Sequence, residues 1–181
     1  MKNVIFLILI QISTFCFAQS KFDKADINDF KVNNFSLIFS REKIIDFEKD
    51  AGKLSNSNDV QYEKIPFSLT RPDKILRNDS ASIYLKGKLA YVSFVDLEKT
   101  KFYIKYKTKT FSYSTTIEAF RKIFPISYRS PSTLPSVPKE NAVGYTILLY
   151  RGNKKAYLNF TFYYNHLSMI SISDKYIKMT N

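Results

Sequence analysis

Lysine occupies nearly every second position of one segment near the middle of the chain. Residues 99–109 read KTKFYIKYKTK, and Tyr103 fills the one alternate position that lacks a lysine. Because alternate side chains of a β-strand share a face, an extended segment here turns its ammonium groups to one side and its apolar groups to the core. Such a strip is suited to binding an anion. The candidate binding residues are Lys99, Lys101, Tyr103, Lys105, Lys107 and Lys109.

The spacing of these lysines limits the partners that suit them. Neighbouring side chains on one face of a strand lie about 6.6 Å apart, at roughly 3.3 Å per residue. This distance is on the scale of the charged groups along a polyanion, so the predicted partner is an acidic glycan, a lipid headgroup or an acidic protein. An alternative is that the lysines only keep an exposed strand from pairing with other chains.

A second pattern joins aromatic and polar side chains on one strand, residues 157–164. One face carries Leu158 and Phe160, and the other carries Tyr157, Asn159 and Tyr163. Rings mixed with amide and hydroxyl groups are typical of surfaces that bind sugars, so the second face is a candidate binding surface. The alternative is ordinary cross-strand packing of tyrosines, which are common in strands.

The residue types that carry most enzyme chemistry are scarce. His166 is the only histidine and Cys16 the only cysteine, and no serine nucleophile motif, phosphate loop or dinucleotide fingerprint occurs. We therefore expect no metal, no cofactor and no catalytic residue, and a binding module rather than an enzyme. The alternatives are a hydrolase of cell-envelope polymers with a carboxylate pair, or a structural protein. The candidate carboxylates are Asp46, Glu48, Asp50, Glu63, Asp96 and Glu98.

The first 18 residues predict an export signal. Lys2 precedes an apolar run over residues 4–12, and Cys16 and Ala18 are small residues at −3 and −1 of a cleavage site. The run is too short for a membrane span, and the bulky Phe15 disfavours lipid attachment at Cys16. The predicted mature chain is periplasmic or extracellular, has no transmembrane span, and contains no cysteine for a disulfide.

The charge of the predicted mature chain is concentrated in its second half. The whole chain has a formal net charge of +12, but residues 19–98 contain 13 basic and 13 acidic side chains. Residues 99–181 contain 14 basic and only 3 acidic side chains. Export and the lack of a groove-reading motif argue against nucleic acid, so this half is expected to face an anionic envelope partner.

The elements that must position these residues begin with a polar arm. Residues 19–34 have few apolar groups and predict a loosely packed N-terminal arm. A short strand at 35–39 then leads to Ser40, a predicted N-cap, and to a helix with Ile44 and Phe47 on its buried face. Residues 55–79 predict a long loop with one short strand. A hairpin around Gly87 and a third strand at 99–109 follow.

The second half shows a similar order of elements. A strand at 110–113 precedes a capping box from Thr115 to Glu118, which opens a helix with Ile117, Phe120 and Phe124 on one face, and Pro125 stops this helix. A Pro-rich loop and strands near 144–150, 155–164 and 167–172 follow. The sequence therefore predicts an α+β fold of two diverged helix-plus-antiparallel-sheet units, at about 35–109 and 110–181, in a single domain over 35–181. A chance alignment of two unrelated halves is the alternative.

Overall fold

The chain is mostly β-structure. The computed structural model describes residues 20–132, except 59, 61, 62 and 69, and residues 142–176. Of these residues, 47% lie in strands and 18% in helices. The predicted α+β fold of two helix-and-sheet units is therefore wrong. Strands from both halves of the chain join one sheet, and the short helices do not form a layer over each half. The predicted signal at residues 1–18 lies outside the described residues.

Nine strands form the larger sheet, in which β1 and β11 are parallel and the other pairs are antiparallel. In spatial order the strands are β1 (Lys24–Asp26), β11 (Ala142–Arg151), β12 (Lys154–Tyr163), β13 (His166–Ser173), β8 (Leu89–Asp96), β7 (Ala81–Lys86), β6 (Lys74–Arg77) and β5 (Ser55–Ser57). A ninth strand, β4 (Ile38–Ser40), pairs with the first half of β8, whereas β13 pairs with its second half.

Four short strands form a smaller sheet. Their spatial order is β10 (Lys109–Phe111), β9 (Ile104–Tyr106), β2 (Phe30–Val32) and β3 (Phe35–Ser36), all antiparallel. One face of this sheet is apolar and buried, because Phe30, Val32, Ile104 and Phe111 all lie in the core. The other face points away from the core and carries polar side chains.

Three helical segments connect the strands: α1 (Ile44–Ala51), α2 (Ile117–Ile123) and α3 (Pro125–Tyr128). Helix α1 follows a 3-10 turn at Arg41–Lys43 and ends at Gly52, whose φ of 75° suits a residue without a Cβ. Helix α2 begins one residue later than the capping box predicted. Thr116, not Thr115, accepts the hydrogen bond of the Ala119 amide. The Thr115 hydroxyl instead accepts from the Ser112 amide and stabilises the preceding turn.

Aromatic rings join the two sheets. Phe124, which follows α2, packs against Phe30, Tyr106 and Phe111 of the smaller sheet, with ring centroids 5.0–6.5 Å apart. It also contacts Phe160 of the larger sheet at 6.1 Å. The predicted burial of Phe120 and Phe124 on one face is confirmed. These ring contacts stabilise the attachment of the smaller sheet to the larger one, since burial of each ring removes a large apolar area from water.

A second apolar cluster lies on the opposite face of the larger sheet. The loop before β6 contributes Ile65, which packs with Ile75, Tyr84 and Tyr91. The loop therefore covers the part of the sheet formed by β6, β7 and the start of β8. The predicted long loop at 55–79 contains two short strands rather than one, because β5 and β6 pair with each other.

Residues 22–32 do not form a loosely packed arm, and this prediction is wrong. Phe22, Ala25 and Ile27 are buried, and β1 and β2 join separate sheets. Three-residue strands are too short to show a clear alternation, so the sequence pattern did not reveal them. No helix within the described residues is long and apolar enough to span a membrane.

Candidate functional site

The lysine-rich segment is not one strand. Residues 97–101 form a bend, β9 covers only Ile104–Tyr106, a turn occupies 107–108, and Lys109 starts β10. Lys109 pairs with Tyr106 and shares its face, so it lies on the side opposite to Lys105. The prediction of a single ladder of five lysines is therefore wrong. Lys107 has a φ of 53°, and this left-handed residue reverses the chain between the two strands.

The alternation nevertheless holds over residues 102–106. Phe102 and Ile104 are buried as predicted, and Tyr103 and Lys105 are on the outward side. The Lys105 ammonium lies 5.3 Å from the centre of the Tyr103 ring. Lys101 is exposed in the bend, and the Lys99 ammonium lies 4.0 Å from Oδ2 of Asp96. These two lysines are thus outside the sheet.

The fold places a further lysine beside this strand. Lys31 of β2 pairs directly with Lys105, and its own side chain is exposed. The pair is flanked along the strands by Asn33 with Tyr103 and by Asp29 with Lys107, whose charged groups are 3.6 Å apart. We name the outward side formed by Lys31, Tyr103 and Lys105, together with Lys107 of the adjoining turn, the lysine surface; the Lys107 ammonium lies 5.4 Å from the centre of the Tyr106 ring.

The Lys31–Lys105 pair is electrostatically unfavourable for the fold. Directly opposed residues that exchange backbone hydrogen bonds have Cα atoms about 5.5 Å apart, and like charges in such a pair are destabilising. The same row of the sheet continues with Ser36 and Thr110, which carry no charge. Within the described part of the chain, neither lysine forms a salt bridge.

The aromatic face of β12 is mostly occupied by packing. Tyr157 contacts the rings of Phe22 and Tyr176, and Asn159 accepts a hydrogen bond of 2.8 Å from the Thr146 hydroxyl. Tyr163 is only 6% exposed. Burial, followed by the charges of Glu98 and Asp96, raises the pKa of its phenol. Of the three predicted residues, Asn159 is the one that pairs across the sheet with polar residues on both sides, Thr146 and Ser171.

One row of side chains crosses seven strands on the outward face of the larger sheet. The pairings from β5 to β11 align these residues, of which only Phe94 is apolar. We name this set the polar row: Ser55, Arg77, Ser82, Phe94, Ser171, Asn159 and Thr146. The sequence analysis missed it, because each strand contributes a single residue.

A pocket of about 290 Å³ opens beside the polar row, where β6, β7 and β8 meet the loop before β6. Ser82 and Phe94 of the row line it together with Glu63, Tyr84 and Ser93. The Tyr84 hydroxyl donates a hydrogen bond of 2.9 Å to Oε2 of Glu63. Burial is the main cause that raises the pKa of Tyr84 to about 12, so its phenol stays neutral at ordinary pH.

The predicted carboxylates have separate partners. Asp46 pairs with Lys49 at 2.7 Å, which lowers the pKa of Asp46. Glu48 accepts from the Leu54 amide, and Asp50 accepts from the Asn33 side chain.

The remaining predicted carboxylates also make local contacts. Oδ1 of Asp96 accepts from the backbone amides of Glu98 and Lys99, and Glu63 belongs to the pocket. Within residues 20–132 and 142–176, as far as the structure describes them, no group of three or more metal-ligating side chains forms.

Comparison with known proteins gives no match, whether with family models, curated proteins or solved structures.

Proposed function

We propose that this chain is an exported binding module that holds an acidic glycan on the lysine surface. The Lys31–Lys105 pair carries the proposal, because the fold places two ammonium groups side by side and neither forms a salt bridge with an acidic residue that the structure describes. An anion bound between them would turn an unfavourable pair into a favourable contact. Sites where local energetics conflict with the fold are often functional sites.

An acidic glycan fits this surface better than a lipid headgroup does. Membrane-surface proteins combine basic groups with apolar side chains that enter the bilayer. Among the described residues, the exposed large apolar side chains are Ile45, Tyr113, Ile126 and Tyr164, and none belongs to the smaller sheet. The lysine surface thus offers charge and hydrogen-bond donors but no apolar anchor.

An acidic protein is also a weaker candidate for the partner. The centres of protein interfaces are enriched in aromatic residues and arginine, whereas lysine is depleted there. The lysine surface has one half-buried ring, Tyr103, and three lysines. A flexible polyanion needs no apolar centre, since its attraction to the surface is electrostatic and weakens as salt screens the charges.

The test is retention of the mature chain, residues 19–181, on a column of sulfated polysaccharide. Lys31→Gln together with Lys105→Gln is expected to elute at clearly lower salt than the parent protein. The matched control is Lys154→Gln with Lys155→Gln, which removes the same charge from exposed positions of β12. The control is expected to remain closer to the parent.

Equal elution of the two double variants would contradict the proposal, because only net charge would then matter. Sedimentation with anionic phosphatidylglycerol vesicles, run in parallel, tests the lipid headgroup. Vesicle binding that depends on Lys31 and Lys105, without retention on the polysaccharide, would show that the lysine surface binds a lipid headgroup. This result would contradict the proposal of a glycan ligand.

A further inference from the structure

The pocket beside the polar row is shaped by an irregularity in the sheet. Ser82 pairs with Phe94 and Ile83 pairs with Val92, so Ser93 is an extra residue in β8. Such a β-bulge re-aims side chains, and bulges are frequent next to functional sites. Here it brings Ser93 and the neighbouring Phe94 to the same pocket.

The polar groups of the pocket are held by one another. Tyr84 donates to Glu63, and Ser93 lies close enough to the Tyr84 hydroxyl to lower its pKa. Ser82 and Ser93 are 8% and 7% exposed, so both serines are buried residues of the pocket lining. Glu63 and Phe94 are half-buried and form its walls. Pre-positioned groups of this kind bind a ligand at low entropic cost.

The charges of the pocket nearly cancel. Glu63 contributes a negative charge and Arg77 a positive one, and both lie close enough to Tyr84 to affect its pKa in opposite directions. The lining therefore favours neither an anion nor a cation. Serine hydroxyls both donate and accept, carboxylates accept, and guanidinium groups donate, which together match a ligand whose own groups do both.

We propose that this pocket binds one unit of a neutral saccharide. Its hydroxyl groups would bond to Glu63, Arg77 and the two serines, and its apolar C–H face would pack on the Phe94 ring. The volume of about 290 Å³ is at the small end of ligand sites, which suits a single sugar ring. This site is separate from the lysine surface and does not depend on the function proposed there.

The polar row gives the rest of a saccharide chain a place to lie. Beyond Phe94 the row continues with Ser171 and Asn159, which are half-buried on neighbouring strands. Neighbouring strands are about 4.8 Å apart, so the distance from Ser82 to Asn159 is about 14 Å across the sheet. An oligosaccharide is therefore expected to bind more tightly than a single sugar.

The experiment is isothermal titration of the mature chain with three neutral tetrasaccharides: cellotetraose, maltotetraose and chitotetraose. At least one is expected to bind, and the binding should be insensitive to salt and to the Lys31→Gln, Lys105→Gln double variant. Glu63→Gln, which keeps the size of the side chain, and Phe94→Leu, which removes the ring but keeps an apolar side chain, are each expected to weaken binding about tenfold, equal to ~1.4 kcal/mol.

Tyr164→Leu is the matched control, because Tyr164 is an exposed aromatic residue outside the pocket. It is expected to leave saccharide binding unchanged. The absence of binding by all three tetrasaccharides at about 10 mM would overturn the inference. A Tyr164→Leu effect as large as that of Phe94→Leu would also overturn it, as would binding of free amino acids in place of the sugars. Urea unfolding of each variant verifies that the fold is retained.

Discussion

The lysine surface and the polar row are both outward faces of sheets, but they present different chemistry. On the lysine surface Lys31 and Lys107 are exposed and Lys105 is half-buried, and Lys31 and Lys105 are neighbours of like charge. In the pocket of the polar row, opposite charges and hydroxyl groups lie together in one lining, and Tyr84 donates to Glu63. Exposed charges attract any ligand of opposite sign, over a distance that shortens as the salt concentration rises. A pocket whose polar groups are hydrogen-bonded to one another instead selects a ligand by the geometry of the hydrogen bonds that it can form on contact.

This comparison makes the two surfaces separable by experiment. Binding at the lysine surface should fall as salt rises, since the Debye length shortens from about 10 Å at 0.1 M to about 3 Å at 1 M. Saccharide binding in the pocket should not weaken as salt rises, because salt screens buried or half-buried hydrogen bonds very little. If retention on the polysaccharide and saccharide binding responded identically to salt, the protein would have one binding site rather than two.

The largest effect is expected from Phe124→Ala, which tests whether both surfaces share one core. Phe124 is 2% exposed and lies between rings of the smaller and larger sheets. Loss of a buried phenylalanine side chain costs about 3–5 kcal/mol, so the urea midpoint of unfolding should fall strongly. The lysine surface should lose retention more than the pocket loses affinity, because Phe124 contacts three rings of the smaller sheet, whereas the pocket is lined by residues of β6, β7 and β8.

Ile126→Ala is the control for Phe124→Ala. It lies two residues further along the chain, in α3, and 43% of its side chain is exposed. Its substitution should change the free energy of unfolding by at most about 0.5 kcal/mol. Equal destabilisation by both variants would show that the aromatic contacts do not fix the smaller sheet.

A second prediction concerns the pocket alone. Burial and the Glu63 carboxylate both raise the pKa of Tyr84, which is about 12. Glu63→Gln should lower this pKa, but the value should stay above the ordinary 10.0 because burial is the larger cause. The measurement is a Cζ NMR titration of labelled tyrosine, in which Tyr145 is the control, since burial and Tyr128 raise its pKa.

The sign of the pH effect on stability follows from the same shift. The neutral phenol is favoured in the folded state, so its contribution is fully present below pH 10 and is lost as the pH rises through about 12. Tyr84→Phe should remove the part of the stability loss at alkaline pH that comes from ionisation of this phenol. A Tyr84 pKa that is identical in the parent and in Glu63→Gln would contradict the hydrogen bond in the pocket.

The sequence predicted the elements that have long or strongly punctuated patterns. The hairpin around Gly87, the buried face of α2 and the strands β11 to β13 all have clear alternation or turn residues. It missed β1, β2 and β5, and it predicted β9 as part of one longer strand; each of these strands has three residues. Three residues contain too little of a period-two pattern, so pairing with distant strands decides their structure.

The two candidate surfaces differ in how much of them could be predicted. Lys105, Lys107 and Tyr103 lie in one segment, and their alternation was visible, but Lys31 is 74 positions before Lys105 and joins it only through strand pairing. The residues of the polar row do not lie in one segment of the sequence, since each strand supplies a single residue. The only local signals were single polar residues, such as Ser82 and Ser171, between apolar ones.

The smallest effect is expected at the turn beside the lysine surface. Lys107 has a φ of 53°, a conformation that costs an ordinary L-residue about 1 kcal/mol and costs glycine nothing. Lys107→Gly and Lys107→Ala both remove the ion pair with Asp29, which is exposed and contributes at most about 1 kcal/mol. Lys107→Gly should therefore be more stable than Lys107→Ala by about 1 kcal/mol in urea unfolding.

The same pair of variants separates backbone strain from charge at this surface. Both remove one positive charge, so both should weaken retention on the sulfated polysaccharide to the same extent, and neither should change saccharide binding in the pocket. A difference in stability together with equal retention would show that the left-handed turn affects only the stability of the fold. It would also show that the ammonium group of Lys107 contributes to ligand binding through its charge. Stronger retention of Lys107→Gly than of Lys107→Ala would instead show that the turn conformation itself shapes the lysine surface, since the charge of the two variants is identical.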